Sequence, residues 1–342
     1  MTVRDYPETK VRRRAERGTV LLSVLLLIVV MSGITVALSD GLRFGIRRAI
    51  NQQTLAQADY YARGAEALAR EAIWLSWNQQ PQRSTLLDQW ARAPQDFLIP
   101  GGRIRGVVRD GGNCFNINSL VRLGEGGLFR AEEEAALILA RLYTLLGFGE
   151  VQANALVDNL IDWLDSDQSP RPRGTEDFGY SRRNPPYRTA SGLMGDVSEL
   201  RSVAGYTPQI LIQVLPFLCA VPTPAPTRIN INTLLAGDAI LLAMLFGEQD
   251  DFRGLDIGDA ESLIETRPLE GFKGIEEILN ESVFRDLEAD GRPVEYLDVR
   301  TSLYEVVIEV EYEGLESRYE ALIELSGSGE LNRLSSQFGD DF

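Results

Sequence analysis

The sequence predicts an α+β fold in which a long N-terminal transmembrane helix packs on an antiparallel sheet, with a large all-α insertion of two similar units. Three observations predict it. An apolar segment at residues 19–38 continues into a helical pattern, and apolar residues alternate at 306–325 as in a β-hairpin. The helical pattern between the predicted strands is too long for a loop and must be an inserted domain.

The predicted domain boundaries follow from these patterns and from shifts in composition. They are an N-terminal leader at 1–18, the transmembrane half of the helix at 19–40, a head at 41–117 together with 296–325, a first helical unit at 118–221, a second at 226–295, and a mobile tail at 326–342. The tail is rich in Gly, Ser and charged residues, which is typical of segments that do not pack.

The segment at 19–38 carries no charged side chain. Twenty residues at a rise of ~1.5 Å span ~30 Å, the thickness of a bilayer core. Basic residues precede the segment, so the positive-inside rule keeps residues 1–18 in the cytoplasm and places the chain after Asp40 outside it. An ordinary signal anchor would show the same features. The segment alone therefore does not distinguish such an anchor from a membrane helix that follows a cleavable leader.

The sheet is predicted from two hairpins. Pro100-Gly101-Gly102 predicts a tight turn between short strands, and Glu313-Gly314 predicts a second turn between the alternating strands near the C-terminus. No proline occurs at 46–80, where small and apolar residues recur at helical spacing. The membrane helix is therefore expected to continue along the surface of the head.

The insertion contains an internal repeat. Asn-Ile-Asn-Ser-Leu at 116–120 recurs as Asn-Ile-Asn-Thr-Leu at 230–234, and each copy is predicted to lead into a helix capped by Ser119 or Thr233. The second copy looks like a SAM-like or helix-hairpin-helix unit, which in many proteins grips DNA phosphates. Carboxylates at 248–251 occupy the position where a phosphate would bind, so we interpret the units as packing modules.

Composition excludes several function classes. The chain has no histidine, which removes the commonest general base and the usual zinc ligand, and its formal net charge of -16 disfavours nucleic acid as a partner. The two cysteines, Cys114 and Cys219, either form a disulfide in an oxidising compartment or serve as small buried hydrophobes.

The richest cluster of polar residues lies at 165–177. Counting Asp165 as position 1 places Asp167 at 3, Ser169 at 5 and Glu176 at 12, a spacing of oxygen ligands like that of an EF-hand, but Pro170 replaces the glycine expected at 6. These oxygens repel one another unless a cation neutralises them, and calcium suits such ligands. The alternative is a solvated acidic loop that pairs with arginines, namely Arg171, Arg173, Arg182 and Arg183.

Several motifs in combination resemble the protein K family of type II secretion systems, whose members are minor pseudopilins. They are Arg-Gly-Thr at 17–19, the two asparagine repeats, Asp-Trp-Leu-Asp-Ser-Asp at 162–167, Gly-Thr-Glu-Asp at 174–177, Pro-Pro-Tyr-Arg at 185–188 and Val-Ser-Glu-Leu-Arg at 197–201. The resemblance implies a pilin-like head with a helical insertion that binds calcium, with ligand roles for Asp165, Asp167, Glu176 and Asp177.

The resemblance also implies how the chain is processed and where it acts. Prepilin peptidase would cut between Gly18 and Thr19, and Thr19 would be N-methylated. The protein would sit in the inner membrane with its globular part in the periplasm, join minor pseudopilins I and J at the pseudopilus tip, and contact secreted cargo. Most pilins carry a glutamate five residues after the cut. Here that position is Ser23, a departure that fits a subunit with no neighbour above it.

The expected role is structural: initiating and capping a periplasmic pseudopilus, without catalysis. Two alternatives from other classes remain at this point. A signal-anchored, calcium-dependent enzyme would need a nucleophile and a base in one cleft, and the lack of histidine argues against it. A membrane-anchored DNA-uptake protein is disfavoured by the net charge.

Overall fold

The computed structural model describes residues 12–92, 94–247, 254–284 and 293–339. The chain forms two compact units, Met1–Asp59 and Tyr60–Phe342. Residues 1–11 of the predicted leader and the acidic stretch at 248–251 lie outside the described residues.

The helices and strands alternate irregularly along the chain. The α-helices are α1 (Arg12–Gln79), α2 (Glu133–Leu145), α3 (Glu150–Leu164), α4 (Asp177–Tyr180), α5 (Pro208–Val214), α6 (Ala239–Ala243), α7 (Ile257–Thr266) and α8 (Ile275–Leu279). The strands are β1 (Gln95–Ile99), β2 (Gly102–Asp110), β3 (Phe115–Asn116), β4 (Val121–Leu123), β5 (Phe129–Ala131), β6 (Leu218–Cys219), β7 (Ile229–Asn230), β8 (Leu297–Asp298), β9 (Leu303–Tyr312), β10 (Leu315–Leu325) and β11 (Leu331–Phe338).

The described part of the first unit is helical and belongs to α1. Its apolar side chains between Val20 and Leu38 are exposed. The helix is long and apolar enough to cross a membrane, as the sequence predicts.

The second unit contains a five-stranded antiparallel sheet in the order β1-β2-β9-β10-β11. Both predicted hairpins are confirmed, with positive φ angles at Gly101 in the first turn and at Glu313 and Gly314 in the second. Gly102 has no room for a side chain, because a Cβ atom there would lie 1.7 Å from the carbonyl oxygen of Glu311. An antiparallel sheet combined with an N-terminal apolar helix agrees with the predicted α+β class.

The prediction of a mobile tail from residue 326 is wrong. Residues 331–338 form β11, which pairs with β10 along its length. The strand is polar and mostly exposed, so it lacks the apolar alternation by which strands are recognised in sequence. It is held instead by polar contacts with α1: Arg333 Nη1 lies 2.9 Å from Glu66 Oε2, and Arg70 Nη2 donates to the carbonyl of Leu331 at 2.6 Å.

The insertion between β2 and β9 is mainly helical, but the expectation that it is all-α is wrong. It contains the parallel pairs β3-β6 and β7-β8 and the antiparallel pair β4-β5. The parallel pairs have two residues per strand, too few to produce a detectable periodicity. Both predicted units share one hydrophobic core, to which the first contributes Leu139 and Leu160 and the second Leu241 and Leu263.

The two copies of the asparagine repeat make equivalent hydrogen bonds to backbone groups that are distant in sequence. Asn118 donates to the carbonyls of Met194 and Val221 and accepts from the Met194 amide. Its counterpart Asn232 donates to the carbonyls of Phe272 and Val299 and accepts from the Phe272 amide. Each buried asparagine thereby satisfies backbone groups that would otherwise lack partners.

Ser119 and Thr233 do not cap α-helices, contrary to the sequence-based expectation. Their hydroxyl groups donate back to the carbonyls of Asn116 and Asn230, at 2.7 and 3.0 Å. In the first copy the cap is Asn116 itself, whose side chain accepts from the Asn118 amide at the start of a short 3₁₀ turn. An asparagine side chain can accept from the same backbone N–H groups as a serine or threonine hydroxyl. In the first copy it is Asn116, and not Ser119, that accepts from such a group.

Cys114 and Cys219 form a disulfide, with their Cα atoms 5.7 Å apart and a sequence separation of 105. The bond joins the ends of the first helical unit beside β3 and β6. In the chain-entropy account, closing a loop of this length stabilises the fold by about 4.7 kcal/mol.

Candidate cation-binding site

Three acidic side chains converge where α3 ends. Asp165 follows directly after α3, and Glu176 directly precedes α4. One carboxylate oxygen from each of Asp165, Asp167 and Glu176 lies within 4.8 Å of the others. The loop at 165–176 therefore folds back so that its two ends meet, and it brings together three of the four predicted ligands.

Two of these carboxylates are almost fully buried. Asp165 is 4% exposed and Glu176 is 6% exposed. Among the residues that the structure describes, Asp165 Oδ1 and both carboxylate oxygens of Glu176 find no hydrogen-bond partner. Burying such oxygens is costly unless something positive satisfies them. The donor set, which consists of carboxylate oxygens, fits a hard cation such as calcium.

The electrostatics of the loop lead to the same conclusion. Burial, reinforced by the charges of Asp167 and Asp162, raises the pKa of Asp165 to about 7. Burial and four neighbouring carboxylates raise the pKa of Glu176 to about 8. A bound cation would reverse both shifts by favouring the ionised forms.

A second pair of acidic residues, which the sequence reasoning missed, holds the loop in place. Asp158 accepts from Arg171 Nε at 2.9 Å and from the Arg173 amide at 3.1 Å. Asp162, fully buried, accepts from the Arg171 amide, and burial raises its pKa to about 6. The detectable signal was a spacing of four residues on α3, which places both side chains on one helix face.

Arg171 ties the loop to two helices. Its guanidinium binds both carboxylate oxygens of Glu133 on α2, at 2.8 and 2.9 Å, as well as Asp158 on α3. Gly174 completes the arrangement, because a Cβ atom there would lie 1.9 Å from Asp162 Oδ2. The loop can approach Asp162 this closely only with glycine at 174.

The start of the loop is also attached to β5. The Ser166 amide donates to the carbonyl of Phe129 on β5, and Ser166 Oγ accepts from the Phe129 amide. Asp167 Oδ1 accepts from the Ser169 amide at 2.8 Å, which closes a local turn. Ser166 is thus fixed by Phe129, and the side chain of Asp167 is fixed by a backbone amide.

Asp177 lies outside the group of three. Its Oδ1 accepts from the amide and hydroxyl of Thr189, at 2.9 and 3.0 Å, and its Oδ2 lies 3.9 Å from Arg188 Nε. Asp177 fixes the chain that follows α4.

Three of the four arginines proposed as an alternative to a cation have side chains engaged elsewhere. Arg171 binds Glu133 and Asp158, while the side chains of Arg182 and Arg183 lie over aromatic rings. In the described ranges, no arginine forms an ion pair with the three converging carboxylates. Direct arginine pairing therefore does not neutralise them.

Comparisons with known proteins agree on one family. Two family models, both described as type II secretion system (T2SS) protein K, match residues 113–223 and 229–300. The type II secretion system protein K of Aeromonas hydrophila is 32% identical over 319 residues, which cover 90% of this chain and 93% of the relative. That of Pseudomonas aeruginosa is 34% identical over 272 residues, covering 76% of this chain and 75% of the relative.

A solved structure is also similar. A chain in the crystal structure of the GspK-GspI-GspJ complex from the enterotoxigenic Escherichia coli type 2 secretion system aligns with a TM-score of 0.74 at 27% sequence identity. The alignment covers 86% of this chain and 100% of that chain.

The unsatisfied carboxylate of Glu176 predicts an unusual pH dependence of stability in the metal-free protein. Because its pKa is raised from 4.5 to about 8, the unfolded chain ionises first as pH rises, and the fold loses stability between these values. Glu176→Gln removes this loss. We expect the free energy of unfolding at pH 8, measured by denaturant titration with chelator present, to rise by about 1–2 kcal/mol.

At pH 4 the same substitution should have almost no effect, because the wild-type carboxyl group is then neutral in the folded protein. The control is Glu316→Gln, at an exposed position on β10. An equal gain from both substitutions at pH 8, or a gain from Glu176→Gln that persists at pH 4, would contradict the account.

Proposed function

The chain belongs to the type II secretion system protein K family, and from this premise we propose that it initiates and caps the tip of a periplasmic pseudopilus that exports folded proteins across the outer membrane. The observation that carries the proposal is the likeness to the complete chain from the GspK-GspI-GspJ complex. The family is one of secretion pseudopilins and is not a known class of enzymes, so we infer a structural role without catalysis.

The fold supports a terminal position in the filament. A pseudopilin head consists of an N-terminal helix and an antiparallel sheet, and here the sheet carries an insertion spanning the whole stretch between β2 and β9. A helical body of this size would obstruct a subunit stacked above it. We interpret the two insertion units as packing modules, since their repeated asparagines bind backbone groups of the same chain.

The N-terminal segment supports assembly from the inner membrane, with the globular part in the periplasm. The proposed leader ends at Gly18, and the proposed mature chain begins at N-methylated Thr19 after cleavage by prepilin peptidase. At the fifth mature position, Ser23 Oγ donates to the carbonyl of Thr19 at 2.9 Å, within the same helix. Ser23 offers no carboxylate to neutralise the N-terminal amine of another subunit, as suits a subunit with no neighbour above.

The proposed partners are minor pseudopilins I and J, and secreted cargo is a further one. A surface for pseudopilin contact is available on α1 within the second unit. Tyr60 is 71% exposed, Leu68 59% and Trp74 40%. Beside them lies a groove of about 360 Å³ whose lining includes Ala72 and Phe97. Exposed apolar patches of this kind mark protein contacts.

The proposed cofactor is calcium, held by Asp165, Asp167 and Glu176 at the end of α3. Support comes from the orphaned carboxylate oxygens and the approach of all three ligands within 4.8 Å. The ion would supply positive charge that holds the loop at 165–176 closed, while Arg171 and Gly174 shape it. Asp177, the fourth ligand implied by the family resemblance, would act by fixing the chain that follows α4.

Titration calorimetry of the metal-stripped chain in detergent tests the calcium proposal. We expect calcium to bind with release of protons at pH 7, because Asp165 and Glu176 must ionise. Asp165→Asn should weaken binding by more than about tenfold. The matched control, Glu316→Gln, should bind like wild type. Calcium binding that survives both Asp165→Asn and Glu176→Gln would place the ion elsewhere.

Leu68→Glu tests the proposed assembly surface. A charge in the middle of an apolar contact should reduce co-purification with pseudopilins I and J by about tenfold or more and lower secretion in cells. Leu269→Glu changes an 88% exposed leucine in the second helical unit and serves as control. The surface is wrongly assigned if Leu68→Glu assembles normally or if both variants lose assembly equally.

A further inference from the structure

The segment after the acidic loop carries a local excess of positive charge on an acidic protein. Residues 178–195 contain Arg182, Arg183 and Arg188 and no acidic residue, whereas the whole chain has a formal net charge of -16. All three arginines are exposed. A positively charged patch on a negatively charged protein attracts anionic ligands that the rest of the surface repels.

Two of these arginines are held against aromatic rings. The Cζ atom of Arg182 lies 5.1 Å from the ring centroid of Phe178. That of Arg183 lies 4.7 Å from the Tyr180 ring and 5.8 Å from the Tyr187 ring, and Arg183 Nη1 donates to Tyr187 Oη at 2.8 Å. A guanidinium restrained in this way loses less conformational freedom when it binds a carboxylate.

The rings beneath Arg183 are themselves anchored. Tyr180 is fully buried and its hydroxyl accepts from the Ala204 amide at 3.0 Å. Tyr187 Oη donates to the carbonyl of Ser202 at 2.9 Å. The arginine pair is therefore supported by packed residues and not by a free loop.

Three carboxylates that border this segment, those of Asp177, Asp196 and Glu199, are already engaged with groups other than Arg182 and Arg183. Asp177 accepts from Thr189, Asp196 accepts from the Ser198 amide, and Glu199 Oε1 accepts from the Gly195 amide. Within the described ranges, neither Arg182 nor Arg183 forms an ion pair. Their guanidinium N–H groups can thus take an external carboxylate.

We propose that the arginine–aromatic surface, formed by Phe178, Arg182, Arg183 and Tyr187, binds an acidic polypeptide segment that also carries an apolar side chain. Phe178 is 74% exposed beside Arg182, so the surface offers an apolar contact next to two carboxylate-binding groups. A long uniform polyanion would use only the charges and would meet repulsion from the acidic remainder of the chain. The inference does not depend on the proposed role in secretion.

Fluorescence anisotropy of a labelled peptide composed of Glu, Asp and Phe, titrated with the full chain in detergent, tests this proposal. We expect Arg182→Gln together with Arg183→Gln to weaken binding by about tenfold or more, since charge-assisted bidentate hydrogen bonds are lost. Arg92→Gln with Arg105→Gln removes the same charge from two exposed positions outside the patch and should leave affinity within about twofold.

Two further measurements separate this surface from general charge attraction. Arg182→Lys together with Arg183→Lys should retain only part of the wild-type affinity, because an ammonium group cannot bind a carboxylate bidentately. Phe178→Ala should weaken the Phe-containing peptide but not one of Glu and Asp alone. The proposal is overturned if both double glutamine variants lose affinity equally, if a Gln and Asn version of the peptide binds as well, or if equimolar inorganic phosphate displaces the peptide.

Discussion

The mutual repulsion of buried carboxylates at the end of α3 is the constraint on which the first helical unit depends. Asp165 and Glu176 are almost fully buried and lie at the two ends of a loop of twelve residues. Within the described part of the chain, Asp165 Oδ1 and both carboxylate oxygens of Glu176 have no hydrogen-bond donor. Two neighbouring carboxylates have hydrogen-bond donors: Arg171 pairs with Asp158, and the Arg171 amide donates to Asp162. Among the described residues, the converging carboxylates of Asp165 and Glu176 lack such donors, which is the basis for proposing a cation there.

The acidic loop is connected to the rest of the insertion through Arg171, which joins the loop to α2 and α3. Both helical units also share one hydrophobic core. The hydrogen bonds of the two repeat asparagines likewise join segments that are distant in sequence. Asn118 and Asn232 each connect the start of a unit to its end, and the disulfide between Cys114 and Cys219 closes the first unit covalently. Asp110, at the end of β2, has its Oδ2 2.7 Å from Thr233 Oγ1 and so connects the sheet to the second unit.

Much of this could be predicted from sequence, for identifiable reasons. The long apolar segment, the two hairpins and the converging carboxylates each produce a strong local pattern: charge-free length, alternation with turn glycines, and acidic residues at spaced positions. Other features left no such pattern. β11 is polar and is held by contacts with Glu66 and Arg70, more than 250 residues away. The two-residue strands are too short for periodicity, and the need for glycine at 174 arises only after the loop has folded against Asp162.

The most direct test of the pseudopilin account is intact mass and N-terminal analysis of the protein purified from its native membrane. The account predicts a mature chain that starts at Thr19 and carries an N-methyl group, because prepilin peptidase removes residues up to Gly18. An uncleaved leader in cells with active prepilin peptidase would contradict it, and would leave a signal-anchored protein whose acidic loop needs another explanation.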